Sequence, residues 1–368
     1  MDYTLIPIPT ERKVPANTWK PPAGIRIISA DDHNMEAENL WQERLPAKFK
    51  DRAPKHTRDK DGIWHMEIDG KSLDVPGIRA NISEGCDCFS DINARFKAMD
   101  AEHVDASLIF HGRLQALNMI QDHELYTACI DVYNEWLAEY LRPHAKRLIG
   151  IAVLPTFRNP SASRDYMQKI KQLGFKAFQM PSFPKGIRYN SMEMEPLWSA
   201  IEEADLPLSF HIGAYLEFSG NGSLGANLTR NLGSFRPLLG QLTFAGVFER
   251  HPNLRVVFTE GGAGWVSQTL TDMDAICREY YSELKPKLAR LPSFYWHRQC
   301  YATFMDDPTA LDCIDRIGAD NIMWSLDYPH AEGCHGYSGE IAQNIYERLG
   351  HERAAKVLGG NAARVWKI

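Results

Sequence analysis

The sequence predicts an α/β chain folded as a (β/α)8 barrel, the TIM-barrel class, and three observations predict it. Short apolar, β-prone runs alternate with stretches of helical periodicity, the pattern of parallel strands joined by crossover helices. Eight such runs can be counted, at 25–29, 106–110, 148–154, 175–179, 208–210, 255–259, 299–303 and 322–325. Acidic and histidine residues stand just past several of them: Asp31 and His33, then His211, Glu260 and Asp327. That is the position at which a barrel of this kind keeps its chemistry. A doubly wound open sheet is the competing architecture, but no Gly-x-Gly-x-x-Gly follows the first run.

The elements follow in order. Residues 1–24 carry Pro7, Pro9, Pro15, Pro21 and Pro22, so they are expected to form an extended arm rather than a folded unit. Residues 25–368 are expected to form one barrel domain. Between the first two strands lie about seventy residues, far more than a βα unit needs. Within this insertion, at about 50–90, residues 64–68, the pair Asp69-Gly70 and residues 71–73 read as a hairpin. It is either a lid over the strand ends or a surface decoration. Helices are expected over 124–141, where Leu125, Cys129, Val132 and Trp136 recur at helical spacing, and over 161–173, after Asn159-Pro160. Two more are expected over 194–205 and 239–250.

Composition narrows the function class. The chain has 368 residues, 44% hydrophobic and 24% charged, with a net charge of −6. That balance argues against a broad nucleic-acid surface. No apolar run reaches the length of a membrane span, and residues 1–22 lack the apolar stretch of a signal peptide. Seven cysteines are scattered along the chain, and Cys86 and Cys88 stand too close for an ordinary disulfide. They read as reduced thiols of a cytoplasmic protein.

Asp31 and His33 lie two apart, so both face one side of an extended chain. With His211 and Asp327 they can hold one divalent metal and leave positions open. Each residue alone has a plainer reading. Asp32 or Asn34 would cap a helix, His211 would be a hydrogen-bonded core histidine, and Asp327 would bind loop amides. The metal reading rests on four strand ends converging.

These residues sit in stretches that resemble the amidohydrolase superfamily. The closer resemblance is to its amidohydrolase-2 branch, which holds aminocarboxymuconate-semialdehyde decarboxylase and the γ-resorcylate decarboxylases. The matching pieces are Ser-Ala-Asp-Asp-His-Asn-Met-Glu at 29–36, Leu-Trp-Gln-Glu-Arg-Leu-Pro at 40–46 and Phe-His-Ile-Gly at 210–213. Further on come Thr-Glu-Gly-Gly at 259–262, Ser-Leu-Asp-Tyr-Pro-His at 325–330 and Gly-Asn-Ala-Ala-Arg at 360–364. The resemblance implies Asp31, His33, His211 and Asp327 as metal ligands, with Asp327 also carrying a proton. It implies a single Zn2+ or Mn2+ ion and no organic cofactor. The branch usually has a histidine after the sixth strand, where this chain has Glu260, either a catalytic group or a carboxylate that orients His211.

Other candidates follow the remaining strand ends. His111 and Arg113 follow the second strand, Gln179 ends the fourth and Phe304 follows the seventh; Tyr215 and His330 lie near His211 and Asp327. Arg113 suits a carboxylate, and Tyr215 and Phe304 suit an aromatic ring. His330 is either an acid–base group or a loop-fixing one. The expected activity is non-oxidative decarboxylation of an aromatic or enol-like acid. The alternative is hydrolysis of an amide, lactone or C–C bond by a metal-activated water. A small-molecule substrate, no nucleic acid or membrane partner, and a homodimer or higher homo-oligomer are expected.

Overall fold

Eight parallel strands close into a ring: β1 (Ile28–Asn34), β2 (Ala106–His111), β3 (Leu148–Gly150, continued by Ala152–Val153), β4 (Phe178–Pro181), β5 (Leu208–His211), β6 (Val256–Thr259), β7 (Cys300–Phe304) and β8 (Ile322–Trp324). The computed structural model describes residues 17–37, 39–58, 60, 64–68, 71–72, 91–112, 114–213, 220–330 and 332–368. β1 pairs with β2 and β2 with the first part of β3, whose second part pairs with β4; neighbours then follow in order to β8. The ring closes beyond the end of β8, where Asp327 N donates to the Asp31 carbonyl at 2.9 Å and His33 N to the Tyr328 carbonyl at 2.7 Å.

All eight expected runs overlap strands; the fourth is shifted from 175–179 to Phe178–Pro181, and the first is displaced furthest. It covers Ile28–Asn34 rather than 25–29, so Asp31 and His33 lie inside β1 and Asp32 caps no helix. Polar residues can continue a strand here because Ser29, Asp31, Asp32 and His33 each bond, by side chain or backbone, to the loop after β8. The displaced strand is also irregular. Ser29 pairs with Ser107 and Asp32 with Ile109, so β1 carries one residue more than β2 over this stretch. This is a β-bulge, which re-aims the side chains beyond it. Ile28 and Ala30 point into the barrel before the bulge, and Asp31 and His33 point inward after it.

The barrel interior is apolar below the site. Ile28, Ala30, Leu108, Phe110, Val257, Tyr301 and Met323 form one cluster, floored by Val365 and Trp366 of the helix Asn361–Trp366. A larger cluster lies between strands and helices, with Trp41, Trp198, Trp296 and Trp324 all buried. The helix expected at 124–141 is His123–Leu141, capped by Asp122. The others cover Ser163–Gln172 and Glu195–Ala204. The single helix expected over 239–250 is instead two, Phe235–Phe244 and Val247–Arg250. Gly246, at φ 72°, makes the break.

In the insertion, Trp64–Ile68 pairs antiparallel with Lys71–Ser72, as the hairpin reading expects. Lys55–Arg58 adds a third strand that the sequence reading did not count. Arg113, Tyr215, Asp69, Gly70, Cys86, Cys88 and the arm up to residue 16 lie outside the described residues. Among the described residues, cysteines 129, 277, 300, 313 and 334 are free thiols, and no helix is long and apolar enough to cross a membrane.

Candidate metal centre

β1, β5 and β6 and the loop after β8 deliver five side chains to one buried spot at the C-terminal mouth of the barrel. The Nε2 atom of His33 lies 3.5 Å from Asp31 Oδ1, 3.1 Å from Asp327 Oδ1 and 3.6 Å from Glu260 Oε2. His211 Nε2 lies 3.5 Å from the same Asp31 oxygen and 2.8 Å from Glu260 Oε2. One ligand atom from each of Asp31, His33, His211 and Glu260 falls within a single 4.8 Å cluster; His33, Glu260, Asp327 and His330 form an overlapping one.

The two imidazoles are turned the same way. Nδ1 of His33 donates to the His111 carbonyl at 2.8 Å, and Nδ1 of His211 to the Ile212 carbonyl at 3.0 Å. Those bonds leave each Nε2 facing the cluster, the arrangement a ligating histidine needs. Ser182 Oγ donates to the His211 carbonyl at 2.7 Å and steadies the backbone behind the ring. Within the cluster, Asp31 Oδ1 and Oδ2, His33 Nε2, His211 Nε2, Glu260 Oε2 and Asp327 Oδ2 are buried without a hydrogen-bond partner. Glu260 Oε2 and His211 Nε2 are close but not aligned as donor and acceptor. Buried polar atoms left this way are costly, and so many aimed at one point fit a cation they would surround.

The two ligand-bearing loops are held in uncommon backbone geometry. Glu260 sits at φ 69° and Asp327 at φ 56°, the left-handed region that non-glycine residues seldom occupy. Strain of this kind persists only where the surroundings enforce it. For Glu260 the enforcement is Thr303 Oγ1 on β7, which accepts from Glu260 N at 2.8 Å, and the close approach of the next residue. A Cβ on Gly261 would lie 2.5 Å from the Phe235 ring, so only glycine fits there. Asp307 then accepts from Ala263 N and Gly264 N at 2.8 and 2.7 Å and caps the helix Gly264–Glu279.

Three carboxylates and two imidazoles in one buried volume shift one another. Burial pulls the His211 imidazole down, but Glu260 and Asp31 outweigh it and hold it up at about 10. His33 is likewise held well above 6.5, with Asp31, Asp327 and Glu260 overcoming burial. Burial works the other way on Glu260, yet His211 and His33 win and keep it well below the usual carboxylate range. In Asp31 burial wins and the carboxyl is raised. The carboxylates thus favour the protonated imidazoles, and a divalent cation bound here would take over that balancing charge.

Beside the cluster opens a small pocket, lined by His111, Asn118, Tyr126, Val153, Gln179, Pro181, Ser182 and His211. His111 and Gln179, both singled out from the sequence, are 5% and 2% exposed. Burial, with His211 and His33 nearby, pushes the His111 imidazole well below 6.5. His330 stands at the rim, 16% exposed, its Nδ1 3.1 Å from Asp327 Oδ1 and its ring 4.0 Å from that of His33. Phe304 is a correction. It is fully buried in the layer between strands and helices, because Tyr301 takes the inward parity on β7. The sequence reading missed Ser29, Asp32 and Arg95, which back the site from outside the barrel wall. Asp32 is buried and raised to about 6 despite Arg95; its only signal in sequence is a second aspartate beside Asp31.

A family model described as amidohydrolase matches residues 88–368. The chain is 24% identical to a γ-resorcylate decarboxylase of Rhizobium sp. (strain MTP-10005) over 293 residues, covering 75% of this chain and 87% of that protein. It superposes on a 5-carboxyvanillate decarboxylase from Sphingomonas paucimobilis with a TM-score of 0.72 at 20% identity, covering 94% of this chain and all (100%) of the other. A dihydroxybenzoic acid decarboxylase from Polaromonas sp. JS666, solved with manganese and 2-nitroresorcinol, superposes with a TM-score of 0.64 at 18% identity, covering 93% and 97%. At these identities the superpositions show the fold alone, an α/β barrel of the amidohydrolase kind.

Proposed function

Because this chain belongs to the amidohydrolase family, we propose that it is a metal-dependent, non-oxidative decarboxylase of an aromatic or enol-like carboxylic acid. The observation that carries the reading is the convergence of Asp31, His33, His211, Glu260 and Asp327 on one buried point with both imidazole Nε2 atoms inward. The donor set mixes nitrogen and carboxylate oxygen, which suits Mn2+ and Zn2+ alike. The names of the curated relatives and the manganese of the Polaromonas structure support the same choice. His33, His211, Asp31, Asp327 and Glu260 would hold the ion. When bound, it supplies positive charge that anchors the substrate carboxylate and an adjacent oxygen.

The chain's own residues do the rest. Asp327, in its carboxylic acid form, delivers its proton to the carbon that bears the carboxylate. The C–C bond then breaks, CO2 leaves, and the bonding pair restores the ring. Asp327 recovers a proton from solvent, and His330 Nδ1 orients its carboxyl at the rim. The side pocket receives the body of the substrate, with Gln179 and His111 as polar contacts and Val153 and Pro181 as apolar ones. No charged side chain other than the histidines lines that pocket among the described residues; the substrate carboxylate is assigned to the metal end on the charge the ion would supply there.

One observation favours hydrolysis instead. Glu260 adds a third carboxylate to the cluster, which repels a substrate carboxylate and accepts a proton from water. Turnover of hydroxybenzoic acids in 18O water separates the two. Release of CO2 with no label in the organic product supports decarboxylation; label in that product overturns it.

A further inference from the structure

We infer that Ser29, Asp32 and Arg95 form a positioning device that holds Asp327 in its left-handed backbone conformation at the metal centre. The inference rests on the metal reading above and concerns residues that touch neither substrate nor ion. Three successive amides on either side of and including Asp327 are tied to β1. Leu326 N donates to Ser29 Oγ at 2.8 Å, Asp327 N to the Asp31 carbonyl at 2.9 Å and Tyr328 N to Asp32 Oδ1 at 2.9 Å. Ser29 Oγ in turn donates to Asp32 Oδ1 at 3.0 Å, so the two side-chain acceptors brace each other.

The bulge in β1 makes this arrangement possible. It leaves Asp31 and His33 facing the barrel interior while Asp32, between them, faces the outer side next to Arg95. Arg95 is 2% exposed. Its guanidinium donates to the His33 carbonyl and lies 5.3 Å from the Tyr328 ring centroid. A buried cation therefore balances Asp32 and grips both sides of the ring closure. Side chains that supply two of three consecutive amide acceptors over-determine the backbone of the residue between them. That is the condition under which a strained φ survives.

Mn2+ affinity of the full chain, measured by the EPR signal of free Mn2+, tests this without a substrate. Asp327→Ala, which removes a ligand, and Asp32→Ala, which removes an outer partner, are each expected to weaken binding by about tenfold or more. Asp32→Asn keeps an oxygen that accepts from Tyr328 N but leaves Arg95 unbalanced, and is expected to lose less affinity than Asp32→Ala. The double variant is expected to bind no more weakly than Asp327→Ala alone, because the two act through one carboxylate. Wild-type affinity in Asp32→Ala, or additive losses in the double variant, would overturn the positioning role. If Asp32→Ala does not fold, Ser29→Ala carries the same comparison. A wild type that binds no Mn2+ overturns the metal reading itself, which is a different failure.

Discussion

The Oε2 atom of Glu260 stands 2.8 Å from Nε2 of His211, while the other nitrogen of that imidazole is held by the Ile212 carbonyl. Glu260 therefore faces the ligand edge of the ring rather than the edge an orienting carboxylate would take. Its charge bears on whatever occupies the centre.

Glu260→Gln removes that charge and keeps the shape. Mn2+ binding is expected to weaken at least roughly tenfold, the lower end of what outer partners alone contribute. His211→Ala is expected to abolish binding. Metal analysis of the purified variants checks both, and full occupancy in either would contradict the placement of the ion.

The metal-free protein is expected to lose stability as pH rises. His33 and His211 have folded pKa values raised above 6.5, so their contribution is complete below that pH. It is lost as pH climbs through the folded values, about 10 for His211. Glu260 is depressed, so its contribution is present above 4.5 and lost as pH falls through its folded value. Metal competes with the imidazole protons, so affinity is expected to rise over the window in which metal-free stability falls. Melting curves of chelator-treated protein and Mn2+ titrations at several pH values measure the two trends; parallel trends would refute the linkage.

Asp327→Asn leaves an isosteric amide at φ 56° and removes the transferable proton. We expect kcat for CO2 release to drop about 10²- to 10⁴-fold with the melting temperature little changed. Retained turnover would assign proton delivery elsewhere.

Gly261→Ala would drive a methyl group to 2.5 Å from the Phe235 ring. The expected cost is about 1–3 kcal/mol, as for other overpacked sites. Phe235→Leu in the same chain should recover part of it. Denaturant unfolding of the two variants and the pair measures the effect, and a stable Gly261→Ala protein would show that the loop yields.

Much of the fold was legible because the strands after β1 are largely apolar runs buried on both faces. The position of β1 was not. Its polar residues look like the end of a strand, and the pairing with β2 through Asn34, together with the hydrogen bonds to the loop after β8, shows that the chain stays extended. The break at Gly246 was present in sequence as a glycine inside a periodic stretch. Asp31, His33, His211, Glu260 and Asp327 were visible as chemistry at strand ends. Arg95 was not, since it meets His33 across 62 positions of chain and nothing local marks it. Phe304 misled because strand parity cannot be counted reliably from sequence alone.

The bulge between Ser29 and Asp32 also limits how this centre can be moved or altered. Drawing the extra residue into a regular ladder with nothing deleted would turn Asp32 inward and swing Asp31 and His33 out among the helices, with every ligand still encoded. Transplanting the Asp-Asp-His segment into another barrel would succeed only if its first aspartate lands on an inward-facing position of the host strand.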